Sequence, residues 1–204
     1  MHREILSEKQ IEFLPQLQKF SPVFGLIGGT AIALHLGHRQ SIDFDLACVK
    51  SGIDVPNIRK KIIEFGKIDV TLVDSADEYT VIVDGIKFTF LNYPFLLEFS
   101  EKIEDIISLP DIATLAAMKA YALGRRAKWK DYVDLYFIIR KLGSILPVIE
   151  KAKEIFEADF SEKNFRAQLA YFKDIDYSEK IIFMEGFAVE EEEIKKKLLE
   201  YSLN

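Results

Sequence analysis

The 204-residue chain is expected to be an α/β protein, a mixed β-sheet with helices on it followed by a mostly helical C-terminal part. Three observations predict this. Apolar and polar residues alternate with the period of a strand at Ser41–Leu46, Lys67–Asp74, Tyr79–Val83 and Ile86–Leu91. A mostly apolar run from Val23 to Ile27 ends at Gly28-Gly29, and Thr30-Ala31-Ile32-Ala33-Leu34 then offers strong helix formers with no breaker until Gly37. Beyond Pro110 the pattern is mainly helical. The division expected is 1–108 for the α/β core and 109–204 for the helical part.

Composition narrows the class. Apolar residues make up 49% and charged residues 29%, ordinary for a soluble globular protein. No apolar run is long enough to span a bilayer, Met1–Glu8 carries no apolar signal core, and Cys48 is the single cysteine, so a cytoplasmic protein without an internal disulfide is expected. A net charge of −6 argues against broad coating of nucleic acid but not against local docking. Between Lys119 and Lys130 lie five basic residues (Lys119, Arg125, Arg126, Lys128, Lys130) and no acid.

In chain order, Ser7-Glu8-Lys9-Gln10 has the form of a capping box, with Ile11, Leu14 and Leu17 at helical spacing behind it and Pro15 predicting a kink or two short helices. At Gly28-Gly29 a strand-to-helix turn lets backbone N–H groups approach an anion closely, and the helix N-terminus favours negative charge. In Ser41–Leu46 the period of two puts Ile42, Phe44 and Leu46 on the core face and Asp43 with Asp45 on the other. Two carboxylates side by side repel unless a cation lies between them, and hard oxygen donors of this kind suit Mg²⁺ carried with substrate phosphates. A phosphate cradle beside such a pair is equipment for phosphoryl or nucleotidyl transfer.

Gly28-Gly29-Thr30…Arg39-x-Ser41-x-Asp43-x-Asp45 resembles the first motif of the AbiEii/AbiGii toxin nucleotidyltransferases, a DNA-polymerase-β-like group that includes the MenT toxins. The resemblance continues in order through Lys67-x-Asp69, Leu115–Lys119 and Lys128–Leu135. It departs at Ala127, where an acid is common, and at Lys130, where arginine is common and would clamp a phosphate with two bonds. It implies a polymerase-β-like core in which Asp43, Asp45 and Asp69 form a three-carboxylate Mg²⁺ site and Asp69 helps activate the attacking hydroxyl. It further implies that Gly28, Gly29, Thr30, Arg39 and Ser41 contact a nucleoside triphosphate. Lys119, Lys130, Asp131 and Asp134 would act from an opposite wall, Lys119 and Asp131 among the catalytic groups. The activity implied is transfer of a nucleotide from NTP to an acceptor, with the 3′ end of tRNA and a toxin–antitoxin setting, hence a cognate antitoxin, expected from the resemblance alone. Two rivals are a small-molecule, antibiotic-type nucleotidyltransferase and a silent nucleotide-binding module.

The remaining elements follow from local signals. Asn57 is the expected N-cap of a helix over Ile58–Phe65, with Gly66 as its stop. Lys67–Asp74 is expected to put Ile68, Val70 and Leu72 on one face and Asp69, Thr71 and Val73 on the other. Asp84-Gly85 marks a hairpin expected to carry no chemistry of its own. Ser108 is the expected N-cap of a helix ending at Gly124, in which Lys119 falls on the apolar stripe; its partner is either a buried carboxylate or, as the resemblance implies, a nucleotide phosphate. Asp131 and Asp134 share a helix face with Leu135 and Ile138 and point inward. His35 and His38, three apart, lack further ligands for zinc. Helices are expected over Ile145–Phe156, Ser161–Phe172 and Glu190–Tyr201, packing against the Lys119 helix. An RNA acceptor, if used, should touch Arg125, Arg126, Lys128 and Lys130.

Overall fold

The structure is a computed structural model that describes residues 1–49 and 52–204. The chain divides into two compact units, Met1–Asp111 and Ile112–Asn204.

The first unit begins with helix α1 (Glu8–Phe13), where Ser7 and Gln10 cap each other reciprocally as the capping-box pattern requires. Pro15 then tightens the chain into a 3₁₀ helix, Leu14–Lys19. Strand β1 (Gly25–Ile27) runs directly into helix α2 (Gly28–Leu36), which ends at Gly37 in the left-handed region. Strand β2 (Asp43–Cys48) follows, then helix α3 (Val55–Ile62). The cap of α3 is Asp54, not Asn57: its carboxylate accepts from the Asn57 amide, and Pro56 suits the first turn because it has no N–H to leave unsatisfied. Strands β3 (Ile68–Asp74), β4 (Glu78–Val83) and β5 (Ile86–Asn92) complete the main sheet, and β6 (Glu101–Ile103) with β7 (Ile107–Leu109) makes a small hairpin that local patterning did not disclose. Ser108 therefore belongs to a strand and caps no helix.

The strand order is β1-β2-β5-β4-β3, with β2 and β5 parallel and the other neighbours antiparallel. One face is apolar. Phe44, Leu46, Phe88, Phe90, Tyr79 and Val81 are fully buried there, and Phe13, Phe20, Phe24 and Phe65 pack on them with ring centroids 4.9–6.2 Å apart. Each fully buried phenylalanine contributes about 1.5–3 kcal/mol over its exposed state, so this cluster holds the helices to the sheet. Ile42 lies outside it: the residue precedes β2 and is 65% exposed.

Strand β3 is the sheet's outer edge, exposed along its length from Asp69 to Asp74, with Leu72 half-exposed at 52%. Register shifts between Ile68 and Val70 and between Thr71 and Val73 break its alternation. Bulges of this kind twist an edge strand away from further pairing.

The second unit is mainly helical: α4 (Ile112–Leu123), α5 (Trp129–Leu142), α6 (Leu146–Phe156), α7 (Glu162–Leu169) and α8 (Glu191–Leu203). Helix α4 packs on α5, α6 and α7, whereas α8 packs on α5 and α7. Between α7 and α8 an irregular segment returns to the start of α5, where the Asp176 carbonyl accepts from the Trp129 amide at 3.0 Å and the Asp176 amide donates to the Ala127 carbonyl at 2.7 Å. Among the described residues no helix is long and apolar enough to cross a membrane.

Candidate active site

In the first unit the site is built by the β1–α2 turn and by β2. Ile27 pairs with Asp45 across the antiparallel strands, so the next residue, Gly28, arrives directly over that carboxylate. Gly28 has φ +74°, and a Cβ there would lie 2.3 Å from the Asp45 Oδ2. Glycine is thus required twice over, by the backbone angle and by the close approach. A Cβ on Gly29 would lie 2.6 Å from a guanidinium nitrogen of Arg39, so the second glycine makes room for the buried arginine. No side chain caps the N-terminus of α2, since its cap residue is Ile27. That end presents backbone N–H groups and the positive pole of the helix beside the carboxylates.

The Thr30 hydroxyl donates to the Asp43 carbonyl and shares a hydrogen bond with the Ser41 hydroxyl at 2.8 Å. Both hydroxyls are buried and tie the start of α2 to the start of β2. They hold the turn in place, and any phosphate contact at Thr30 falls to its backbone N–H. Arg39 donates to the Gln40 carbonyl at 2.9 Å. His35 Nε2 lies 3.0 Å from the Pro110 carbonyl, a structural contact within the same unit.

Asp43 and Asp45 do share the sheet face opposite the phenylalanines, and their neighbours on that face come from β5. Asp43 lies in register with Lys87, whose Nζ is 2.7 Å from the Asp43 Oδ2, and Asp45 lies in register with Thr89. Sequence reasoning missed both residues. The signal was present: Ile86, Phe88 and Phe90 alternate with Lys87 and Thr89 just as Phe44 and Leu46 alternate with Asp43 and Asp45.

Asp69 does not join them. It sits on the edge strand β3, with β4 and β5 between it and β2, roughly 14 Å away at the usual strand spacing. Its exposed carboxylate accepts from the Gly85 amide at 2.9 Å and so fastens the β4–β5 turn. The expectation of a three-carboxylate site is corrected accordingly: local alternation made 67–74 a strand but could not give its place in the sheet. Among the described residues no group of three or more histidine, cysteine or acidic side chains is gathered as a metal site. The donors present still fit one hard cation, because two carboxylates completed by substrate phosphate oxygens are a common way to hold Mg²⁺.

The second unit carries a different arrangement. Asp131 and Asp134 point inward from α5 with no exposed surface, and Lys119 of α4 is 5% exposed. Lys119 bonds to Asp131 and lies 3.0 Å from Asp134, while the Arg126 guanidinium grips Asp131 at 2.9 and 3.3 Å. Burial pushes the Asp131 carboxyl up, but Lys119 and Arg126 together outweigh it and hold the group below its ordinary value. Of the two partners open for Lys119, the structure supplies the buried carboxylates. Asp131 and Asp134 thus hold Lys119 from α5.

The basic loop is also not free of acids in space. Arg125 lies over the Tyr121 ring, 3.5 Å from its centre. Lys128 and Lys130 both pair with Glu179, Lys128 at 2.5 Å. Burial raises the Glu179 carboxyl, yet the two lysines override this and bring it down to about 2. Glu179 is 49 residues from Lys130, and no local sequence signal announces the contact.

Comparison with known proteins agrees with this architecture. The family model "Nucleotidyl transferase AbiEii toxin, Type IV TA system" matches residues 13–201. A protein of Aquifex aeolicus (strain VF5), described as uncharacterized, is 36% identical over 187 residues, covering 89% of each chain. Among solved structures, MenT4, a nucleotidyltransferase toxin of Mycobacterium tuberculosis, superposes with a TM-score of 0.60 at 15% identity, covering 96% of this chain and 82% of its own. A putative nucleotidyltransferase from Helicobacter pylori gives 0.58 at 16% identity, covering 99% and 92%. At such identities the two structures speak for the fold.

Proposed function

The chain belongs to the AbiEii family of nucleotidyltransferase toxins, and within it we propose that this protein transfers a nucleotide from a nucleoside triphosphate to an RNA acceptor, with Mg²⁺, as the toxin of a toxin–antitoxin pair. One observation carries the reading: the Asp43–Asp45 pair lies directly beside an uncapped helix N-terminus, in contact distance of a glycine turn that tolerates no side chain. Carboxylates and an anion-attracting helix end side by side make sense for a cation and a phosphate bound together.

In this reading Asp43 and Asp45 hold one Mg²⁺. Bound there, the ion would offset charge on the phosphates and orient them for displacement of pyrophosphate. The N–H groups at Gly29 and Thr30 bind phosphate oxygens, and the Thr30–Ser41 hydroxyl pair keeps that turn in register with β2. Lys87 neutralises Asp43 and thereby lowers the repulsion between the two carboxylates. With Asp69 at the far edge of the sheet, no third carboxylate is assigned to the attacking hydroxyl. In the second unit, Asp131 and Asp134 fix Lys119 and, through Arg126, the start of the basic loop. Arg125 and Arg126, the more exposed of the loop's cations, are assigned to RNA phosphates. The expected setting is the cytoplasm with a cognate antitoxin.

The test is transfer of label from α-labelled nucleoside triphosphates to total RNA in the presence of Mg²⁺. Wild type should label RNA, and Asp45→Asn should lose at least about a hundredfold in rate, the equivalent of roughly 2.7 kcal/mol of barrier. Labelling of a small cationic acceptor in place of RNA would move the assignment to an antibiotic-type enzyme. Nucleotide binding with no transfer to any acceptor would make the protein a silent binding module.

A further inference from the structure

We propose that Lys128 and Lys130 form a binding site for a phosphate group of the nucleic-acid acceptor, and that Glu179 is an in-chain carboxylate which this phosphate must displace. The inference rests on the RNA reading above and adds to it a built-in competitor.

The geometry is that of a ligand and its site. Lys128 bonds one oxygen of the Glu179 carboxylate and Lys130 the other. Two cations converging on two oxygens of one centre is also the arrangement a phosphodiester asks for, with its two non-bridging oxygens on one phosphorus. The residues next in sequence, Arg125 and Arg126, continue the positive charge along the chain. A nucleic-acid strand can meet several of these cations through successive phosphates, whereas Glu179 offers a single charge.

Glu179 is held ready without being needed to hold the segment. On its N-terminal side the Asp176 backbone bonds to Ala127 and Trp129, and the Tyr177 ring lies 5.6 Å from the Trp129 ring. The Tyr177 hydroxyl also donates to Glu191 of α8 at 2.8 Å. On its C-terminal side Phe183 and Phe187 pack edge-on against Phe137 at 6.2 and 5.7 Å. Anchors on both sides mean that a rotation of the Glu179 side chain frees both lysines while the backbone stays in place. The carboxylate is 39% exposed, so the ion pairs it makes are partly screened and give way to a stronger ligand.

The experiment uses the full chain and two probes, a fluorescein-labelled single-stranded oligouridylate read by anisotropy and inorganic pyrophosphate read by calorimetry. Glu179→Gln should bind the oligonucleotide about three- to tenfold more tightly than wild type at equal ionic strength, since exposed ion pairs are weak competitors. The gain should vanish when Lys128→Gln and Lys130→Gln are added. Unchanged or weaker binding by Glu179→Gln, or a gain that survives loss of both lysines, overturns the proposal. Should Glu179→Gln fail to fold, Glu179→Asp replaces it. Its shorter carboxylate cannot serve both lysines, so it should give a smaller gain with the charge kept, and no gain overturns the proposal equally. The two readings fail separately. Pyrophosphate gained through the lysines with no RNA binding in any variant keeps the site and removes the RNA acceptor. No gain for either probe removes the site whatever the acceptor.

Discussion

The two units each carry a pair of aspartates, and the pairs are built to opposite ends. Asp131 and Asp134 are fully buried; Lys119 pairs with both and Arg126 with Asp131. Asp43 and Asp45 lie on a sheet face that is only partly covered, at the mouth of a glycine turn, with Lys87 beside Asp43. A buried carboxylate pair without cations would be prohibitively costly, so the first pair must be neutralised by the fold itself. In the proposed reading, the second pair takes a cation brought from outside. The same residue type, two apart on a strand or three apart on a helix, is thus scaffold in one place and candidate ligand in the other, and burial decides which.

The largest expected effect breaks the helical network. Lys119→Met keeps most of the apolar stem but leaves Asp131 and Asp134 with one cation between them, and removing one partner of a buried pair costs about 3–5 kcal/mol. Urea unfolding should show a loss of that size, while Asp45→Asn should shift the midpoint little or raise it, because clustered carboxylates repel. If Lys119→Met instead unfolds like wild type and loses only nucleotide affinity, the buried network is not the scaffold described here.

Acid should sharpen the same contrast. The folded Asp131 carboxyl lies below its ordinary value of 3.8, so its contribution is present above that pH and is lost as pH falls through the folded value. Stability should therefore begin to drop below about pH 4. Arg126→Gln removes one of the two groups that hold the carboxyl low, so the folded value moves up toward the ordinary one and the loss of stability in acid should be smaller than in wild type. Urea midpoints measured from pH 6 downward would show this, and coincident curves would mean that Arg126 does not govern Asp131.

A smaller effect is expected at the sheet. Lys87→Gln leaves Asp43 and Asp45 with more uncompensated charge, so Mn²⁺ binding without nucleotide, followed by electron paramagnetic resonance, should strengthen severalfold. Unchanged Mn²⁺ affinity would show that Lys87 neither competes with nor substitutes for a cation at the pair.

The sequence disclosed different amounts of the two pairs for a physical reason. The Gly28-Gly29 turn, the Asp43–Asp45 face and the inward aim of Asp131 and Asp134 are local consequences of periods of 2 and 3.6 and of glycine's backbone freedom, and they could be read directly. Strand order is not local. The Asp84-Gly85 hairpin makes β4 and β5 neighbours, but nothing in the alternation says that β5, not β3, lies beside β2. That choice put Lys87 and Thr89 at the site and Asp69 outside it. Glu179 was hidden for the same reason, being brought to Lys128 and Lys130 by a long irregular return of the chain.

The smallest effect tests that correction directly. Asp69→Asn removes a charge from an exposed edge strand and weakens one hydrogen bond, the one accepted from the Gly85 amide. Asparagine can still accept there, so the stability loss should be at most about 1 kcal/mol. Label transfer from an α-labelled triphosphate should stay within about twofold of wild type, because two strands separate the residue from Asp43 and Asp45 and a surface charge at that distance is largely screened. Asp45→Asn, measured alongside, should be nearly silent in stability and severe in transfer, whereas Lys119→Met should be severe in stability. A collapse of transfer in Asp69→Asn without loss of stability would bring that carboxylate back to the reacting groups. The strand order would then have to differ in the working enzyme, and the two-carboxylate site would be incomplete.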